Sequence, residues 1–98
     1  MAYTRLNPPV KMTTVTTNNV TINGGTNYYA NLGSYAAVQG YEPIGVLFDL
    51  SDMSSFNNLV AGALQTNGEY IWSRFYNSQS AASTGSWSAK VFWAKING

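Results

Sequence analysis

Hydrophobic and polar positions alternate along most of this chain, and the clearest run lies between Leu59 and Asn77. Asn67-Gly68 interrupts two apolar-rich segments there, and Asn-Gly favours a type I′ turn because both residues accept φ > 0 at low cost. A two-residue loop predicts a register that sets Gln65 against Tyr70, Leu64 against Ile71 and Ala63 against Trp72. It continues with Ala61 against Arg74, Val60 against Phe75 and Leu59 against Tyr76. Side chains alternate across a strand, so this register sorts the hairpin into two faces. Val60, Gly62, Leu64, Ile71, Ser73 and Phe75 form the expected core face. Leu59, Ala61, Ala63, Gln65, Tyr70, Trp72, Arg74 and Tyr76 form the other, with Trp72 expected over Ala63 and Arg74 over Ala61. Aromatic residues and Arg beside small neighbours are the composition of a binding surface or subunit interface. A second packed layer is the competing reading.

Elsewhere the pattern predicts short strands separated by turn residues. Residues 11–17 (KMTTVTT) are β-branched and read as a strand, ended by Asn18-Asn19; residues 20–23 and 26–32 follow, with Gly24-Gly25 between them. Residues 34–40 read as a loop or one helical turn. In residues 41–50 (YEPIGVLFDL), Ile44, Val46, Phe48 and Leu50 are expected on one face, with Pro43 near the strand start. Residues 51–58 read as a loop with a turn capped by Ser51 or Asp52, and residues 78–85 as a polar loop. The last strand, residues 86–96, points Trp87, Val91 and Trp93 one way and Phe92, Ala94 and Ile96 the other, so both its faces are expected to be covered. Six or seven short strands without a long amphipathic helix predict an all-β fold: a single-domain antiparallel β-sandwich, jelly-roll-like. Pro8-Pro9 marks residues 1–10 as an N-terminal arm or linker, with the sandwich spanning residues 11–98.

Composition narrows the chemistry. Ninety-eight residues suffice for one modest core. The formal net charge is +1, from five basic and four acidic residues, which argues against nucleic acid or an anionic membrane as partner. Asn, Ser and Thr cover the surface instead, a style suited to neutral or weakly charged ligands. The chain has no Cys and no His, which excludes disulfides, thiolate zinc sites and Cys or His catalysis. No apolar run is long enough to span a bilayer, and residues 1–11 lack the apolar stretch of a signal peptide. Among carboxylates, only Asp49 and Asp52 lie close in sequence. They read as an acid pair, as oxygen ligands for Ca²⁺ with Asn57 and Asn58, or as ordinary turn-capping residues, the last being the commonest use. The many serines lack a His and a G-x-S-x-G elbow, so no enzyme activity and no cofactor are expected.

From Gly40 onward, GYEPIGV, an Asn/Ser loop, LVAGALQTNGEYIWSRFYN, a Ser/Ala/Thr-rich gap and a closing WSAKVFWAKIN follow in order. This order resembles the C-terminal head domains of receptor-binding, tail-fibre or baseplate proteins of phages infecting Gram-positive bacteria. The opening MAYTRLNP also resembles the start of small phage tail proteins. The resemblance covers residues 40–98 and is a pattern of strands and turns. It implies a jelly-roll-like head assembled as a homotrimer in the virion, among other tail or baseplate proteins, that attaches to a cell-wall saccharide of the host. Such heads usually end a longer fibre with a shoulder and neck; this sequence opens on its own Met without a shaft, which leaves a trimmed head, a small separate tip protein and another tail component as open readings.

Sugar recognition needs an aromatic plate for the apolar face of a ring and a few planar polar groups for its hydroxyls. Trp72, Tyr70, Tyr76, Arg74 and Gln65 offer both on one hairpin face. Trp87 and Trp93 offer a second plate, although core packing competes for each and is the stronger reading for Trp93. Asp49 and Asp52 are expected as rim acceptors. The residues taken with the resemblance leave two functions: a saccharide-binding adhesin module at a phage tail tip, or a structural virion protein whose aromatic faces serve only assembly.

Overall fold

The computed structural model describes residues 9–96. Most of the expected arm, residues 1–8, therefore lies outside the described residues. Nine strands follow in chain order: β1 (Val10–Thr16), β2 (Val20–Ile22), β3 (Asn27–Ser34), β4 (Tyr41–Asp49), β5 (Leu59–Ala61), β6 (Gln65–Thr66), β7 (Tyr70–Asn77), β8 (Ser83–Gly85) and β9 (Ser88–Lys95). Every pairing is antiparallel. One sheet has the order β1-β9-β4; the other has the order β3-β7-β5, with β6 also on β7; β2 and β8 form a separate ribbon. The fold is an all-β antiparallel sandwich, as the alternation predicts. No helix among the described residues is long and apolar enough to cross a membrane.

The central strands β9 and β7 set the core. From β9, Ala89, Val91 and Trp93 point inward, as does Trp87 just before it; from β7, Ile71, Ser73, Phe75 and Asn77 do the same. The two sheets meet through aromatic rings. Phe48 of β4 packs edge-on against Phe75 of β7 with centroids 4.6 Å apart, and Trp87 lies edge-on 5.9 Å from Phe75. The indole N–H groups keep partners inside the fold: Trp93 Nε1 donates to Thr13 Oγ1 at 2.8 Å, and Trp87 Nε1 donates to the Tyr28 hydroxyl at 3.3 Å.

Four local expectations need correction. First, the hairpin does not turn on Asn67-Gly68. The observed pairs are Gln65 with Trp72 and Thr66 with Ile71, which put Gly68 and Glu69 at the tip. Gly68 takes φ +87, whereas Ser55 is the one non-glycine residue with positive φ among those described. Asn67 instead folds its side chain back, its Oδ1 accepting the N–H groups of Glu69 and Tyr70, each at 2.9 Å.

Second, the hairpin's first half changes phase. Leu59 pairs with Asn77, Val60 with Tyr76 and Ala61 with Phe75, so Leu59 is buried and Val60 is 59% exposed, opposite to expectation. Leu59 and Leu64 both pack on the core, yet they stand five positions apart, and a regular strand would send them to opposite faces. An extra residue between Ala61 and Gln65 reconciles them, as a bulge does. Ile71 and Phe75 are buried as expected.

Third, a bulge between Pro43 and Gly45 leaves Ile44 unpaired and more than half exposed, while Val46, Phe48 and Leu50 keep the expected contact with the core. Fourth, residues 78–85 are not wholly loop, because β8 pairs with β2 there. In the preceding segment, a short 3-10 turn at Phe56–Asn58 has no side-chain cap, and neither Ser51 nor Asp52 caps it.

Candidate functional site

The outer face of the β3-β7-β5 sheet gathers most of the side chains singled out in the sequence. Alternation along β7 presents Tyr70, Trp72, Arg74 and Tyr76 outward, since Ile71, Ser73, Phe75 and Asn77 fill the core. Tyr70 and Arg74 are exposed, Tyr76 is somewhat less open, and Trp72 is half-buried. The register places Asn31 beside Trp72, Tyr29 beside Arg74 and Asn27 beside Tyr76 on the β3 side. On the other side Gln65 faces Trp72 and Val60 faces Tyr76. Trp72 therefore stands against Gln65 rather than Ala63. Next to Arg74 the small neighbour is Gly62 rather than Ala61, its N–H donating to the Arg74 carbonyl at 2.8 Å.

The sequence reading missed Tyr29 and Asn31. Tyr29 is 62% exposed, the most open aromatic residue on this face. Tyr28 and Tyr29 are adjacent and equally aromatic, so alternation alone does not say which of them points outward. Pairing with β7 decides it. Tyr28 goes inward to stack on Phe75 at 5.8 Å between centroids, and Tyr29 goes outward beside Arg74.

Two shallow hollows lie along β7 on this face. One, of about 310 Å³, is lined by Tyr29, Asn31, Tyr70, Ile71 and Trp72. The other, of similar volume, is lined by Asn27, Val60, Gly62, Arg74 and Tyr76. Trp72 and Tyr76 are four residues apart on one strand, roughly 13 Å at the rise of an extended chain. Among the described residues, the Arg74 guanidinium has no salt bridge or side-chain partner. Flat rings, amide tips and one open fork of N–H donors thus alternate over the length of the strand. Such a surface can stack on the apolar faces of rings and pair with hydroxyl or acidic oxygens between them.

The other expected site residues are elsewhere. Trp87 is 2% exposed and belongs to the core, so it offers no plate to a ligand, and Trp93 is buried as well. Asp49 stands at the end of β4, paired with Ser88 and lining a hollow with Leu47 and Lys90 on the outer face of the opposite sheet. Asp52 is in the exposed turn that follows, packed through its backbone against Gly85 of β8. Neither carboxylate joins the aromatic face. Among the described residues, no three acidic, His or Cys side chains gather to hold a metal ion.

Asp49 is a turn residue. Its Oδ1 accepts the Ser51 hydroxyl at 2.6 Å and the Ser51 N–H at 3.0 Å. These bonds, the hydroxyl first, hold its carboxyl below the ordinary carboxylate range, with Lys90 adding a smaller pull. A lowered value means that the turn's stabilisation is present above the ordinary aspartate range and is lost as pH falls through the lowered midpoint. An NMR titration of the Asp49 carboxyl is expected to show that depressed midpoint, and Ser51→Ala is expected to raise it toward the usual value. An unmoved midpoint in the variant would show that the Ser51 hydroxyl is not its cause.

No family model, curated protein or solved structure matches this chain.

Proposed function

We propose that this domain is a phage tail-tip adhesin that, as a homotrimer, recognises a saccharide on the host cell surface through the outer face of the β3-β7-β5 sheet. The observation that carries the binding reading is the row of outward rings and polar tips: Tyr70, Trp72, Arg74 and Tyr76, flanked by Asn27, Tyr29, Asn31 and Gln65. Placement in a phage tail, in the virion among other tail or baseplate proteins, rests on the resemblance of residues 40–98 to receptor-binding heads. Exposed aromatic residues on a rigid sheet cost little ordering entropy on binding. Two hollows in line along one strand suit a linear chain of sugar rings better than a single ring. Arg74 sits between them as a donor for a hydroxyl or an acidic substituent. The module acts by contact alone, without a catalytic group or a bound cofactor.

The test is binding of labelled protein to Gram-positive cells and to a glycan array, wild type against Trp72→Ala and Tyr29→Ala. Each truncation removes one stacking plate, worth about 1 kcal/mol, so binding is expected to fall about fivefold per substitution. Circular dichroism is expected to stay native, because both side chains lie on an outer face. Added salt is expected to weaken binding only slightly, since a single guanidinium per copy makes the attraction. Unchanged binding in both variants would remove the face from consideration. If the variants instead dissolved the oligomer, the aromatic residues would serve assembly, and the structural-virion reading would replace this one.

A further inference from the structure

The aromatic face carries one charge, Arg74, and the protein supplies nothing to balance it. An acid directly opposite is how a sheet stabilises a charged residue from within. Both positions opposite Arg74 are uncharged: Tyr29 on the β3 side and Gly62 on the other. Its outward neighbours along β7 are Trp72 and Tyr76. The four acidic residues of the chain lie elsewhere. Glu42 and Asp49 belong to β4 in the other sheet, Asp52 follows in the next turn, and Glu69 is at the hairpin tip. Glu69, the nearest along β7, precedes Arg74 by five residues, roughly 16 Å at the rise of an extended strand. That is about twice the Debye length at physiological ionic strength, so Glu69 does little to neutralise an exposed guanidinium.

We propose that the saccharide bound on this face carries an acidic group, a carboxylate or a phosphodiester, that is seated on Arg74. The proposal rests on the saccharide reading above and names the class of saccharide. The two hollows along β7 differ in kind. Tyr29, Tyr70 and Trp72 line the first, which offers rings and no charge, whereas the second holds Arg74 beside Gly62 and a single ring, Tyr76. A chain with an uncharged ring on the first plate and an acidic unit at the second fits both. The guanidinium fork pairs two N–H donors with two oxygens of either anion, and glycine beside it places no side chain in the way. A neutral sugar would pair only single hydroxyls with that fork and leave its charge unbalanced. Rings and arginine also suit single-stranded nucleic acid, but one cation per face gives too little attraction for a chain with a phosphate at every unit.

The test uses the full chain on Gram-positive cells treated in three ways: untouched, amidated with carbodiimide and glycinamide to mask carboxylates, or exposed to cold hydrofluoric acid to cleave phosphodiesters. Wild-type binding is expected to fall about fivefold after one of the two treatments, and which one identifies the anion. Arg74→Gln is expected to bind untouched cells about fivefold more weakly and to be indifferent to that same treatment. Its slight salt dependence is expected to vanish, and Arg74→Glu is expected to bind more weakly still. Circular dichroism is expected to stay native, because the guanidinium has no partner within the fold. If Trp72→Ala weakens binding while Arg74→Gln and both treatments leave it unchanged, the acidic group is overturned and the saccharide reading stands. If Trp72→Ala and Arg74→Gln both bind as wild type does, both are overturned. Competition by oligothymidylate that is lost in Arg74→Gln would overturn the saccharide class in favour of nucleic acid.

Discussion

Phe75→Ala is expected to destabilise the domain by about 3–5 kcal/mol, enough to unfold a marginal domain at moderate temperature. Phe75 has no exposed surface. Its ring is the point where the two sheets meet, 4.6 Å from Phe48, 5.8 Å from Tyr28 and 5.9 Å from Trp87 by centroid. Truncation removes the transfer energy of the ring and leaves a cavity that three large, mutually braced rings cannot fill without moving. Each of those contacts also loses an edge-on or stacked geometry worth more than area alone. Urea denaturation followed by tryptophan fluorescence measures the loss, and Phe75→Leu is expected to lose much less because it refills most of the volume. A loss below about 1 kcal/mol for the alanine variant would show that the sheets do not depend on this cluster.

Asn77→Leu is expected to cost on the order of 3 kcal/mol although it preserves volume and adds apolar surface. The buried Asn77 side chain fastens three segments to the end of β7. Its Nδ2 donates to the carbonyls of Ile22 at 2.9 Å and Ala81 at 3.0 Å, and its Oδ1 accepts the N–H of Gln79 at 3.2 Å. Its backbone completes the clasp, its N–H donating to the Thr26 carbonyl at 3.0 Å and its carbonyl accepting the Gly25 N–H at 2.8 Å. Leucine would leave backbone groups without partners in a place where water enters poorly, and a buried unpaired group costs more than its hydrogen bond contributes. The β2-β8 ribbon should loosen first. Hydrogen exchange is expected to accelerate at Ile22 and Ser83 more than at Val91 in β9. Uniform acceleration over the whole chain would mean that the ribbon and the sandwich open together.

Both substitutions leave the outer aromatic face in place, which separates stability from binding. If Trp72→Ala lowers cell binding at unchanged stability while Asn77→Leu lowers stability at unchanged binding below its melting point, the two faces of β7 have separate tasks. That division is built into the strand: one residue in two holds the sandwich together, and the next is free to meet a partner.

The alternation of Tyr70 to Asn77 was by itself enough to specify a strand with one compact face and one aromatic face, because period two and large flat side chains leave no other regular structure that buries half of them. Absence of Cys and His in these 98 residues likewise means that none of their side chains supplies a thiolate or an imidazole. Phase was decided only in three dimensions. Leu59 and Val60 are both apolar, so nothing local says which is inside. A bulge near Gly62 makes the choice by bringing Leu59 and Leu64 to the same core. Trp87 and Phe92 present the same ambiguity in the last segment, residues 86–96, whose two faces are both apolar, and packing against Phe75 assigns Trp87 to the interior. Asn67-Gly68 signals a turn correctly, but the Asn67 side chain bonds to the backbone beyond it and moves the tip by one residue. Tyr29 and Asn31 reach the aromatic face through a strand pairing more than forty positions away in the chain. Local pattern encodes which side chains alternate, whereas which of them share a surface depends on long-range pairing and on the bulges that reset it.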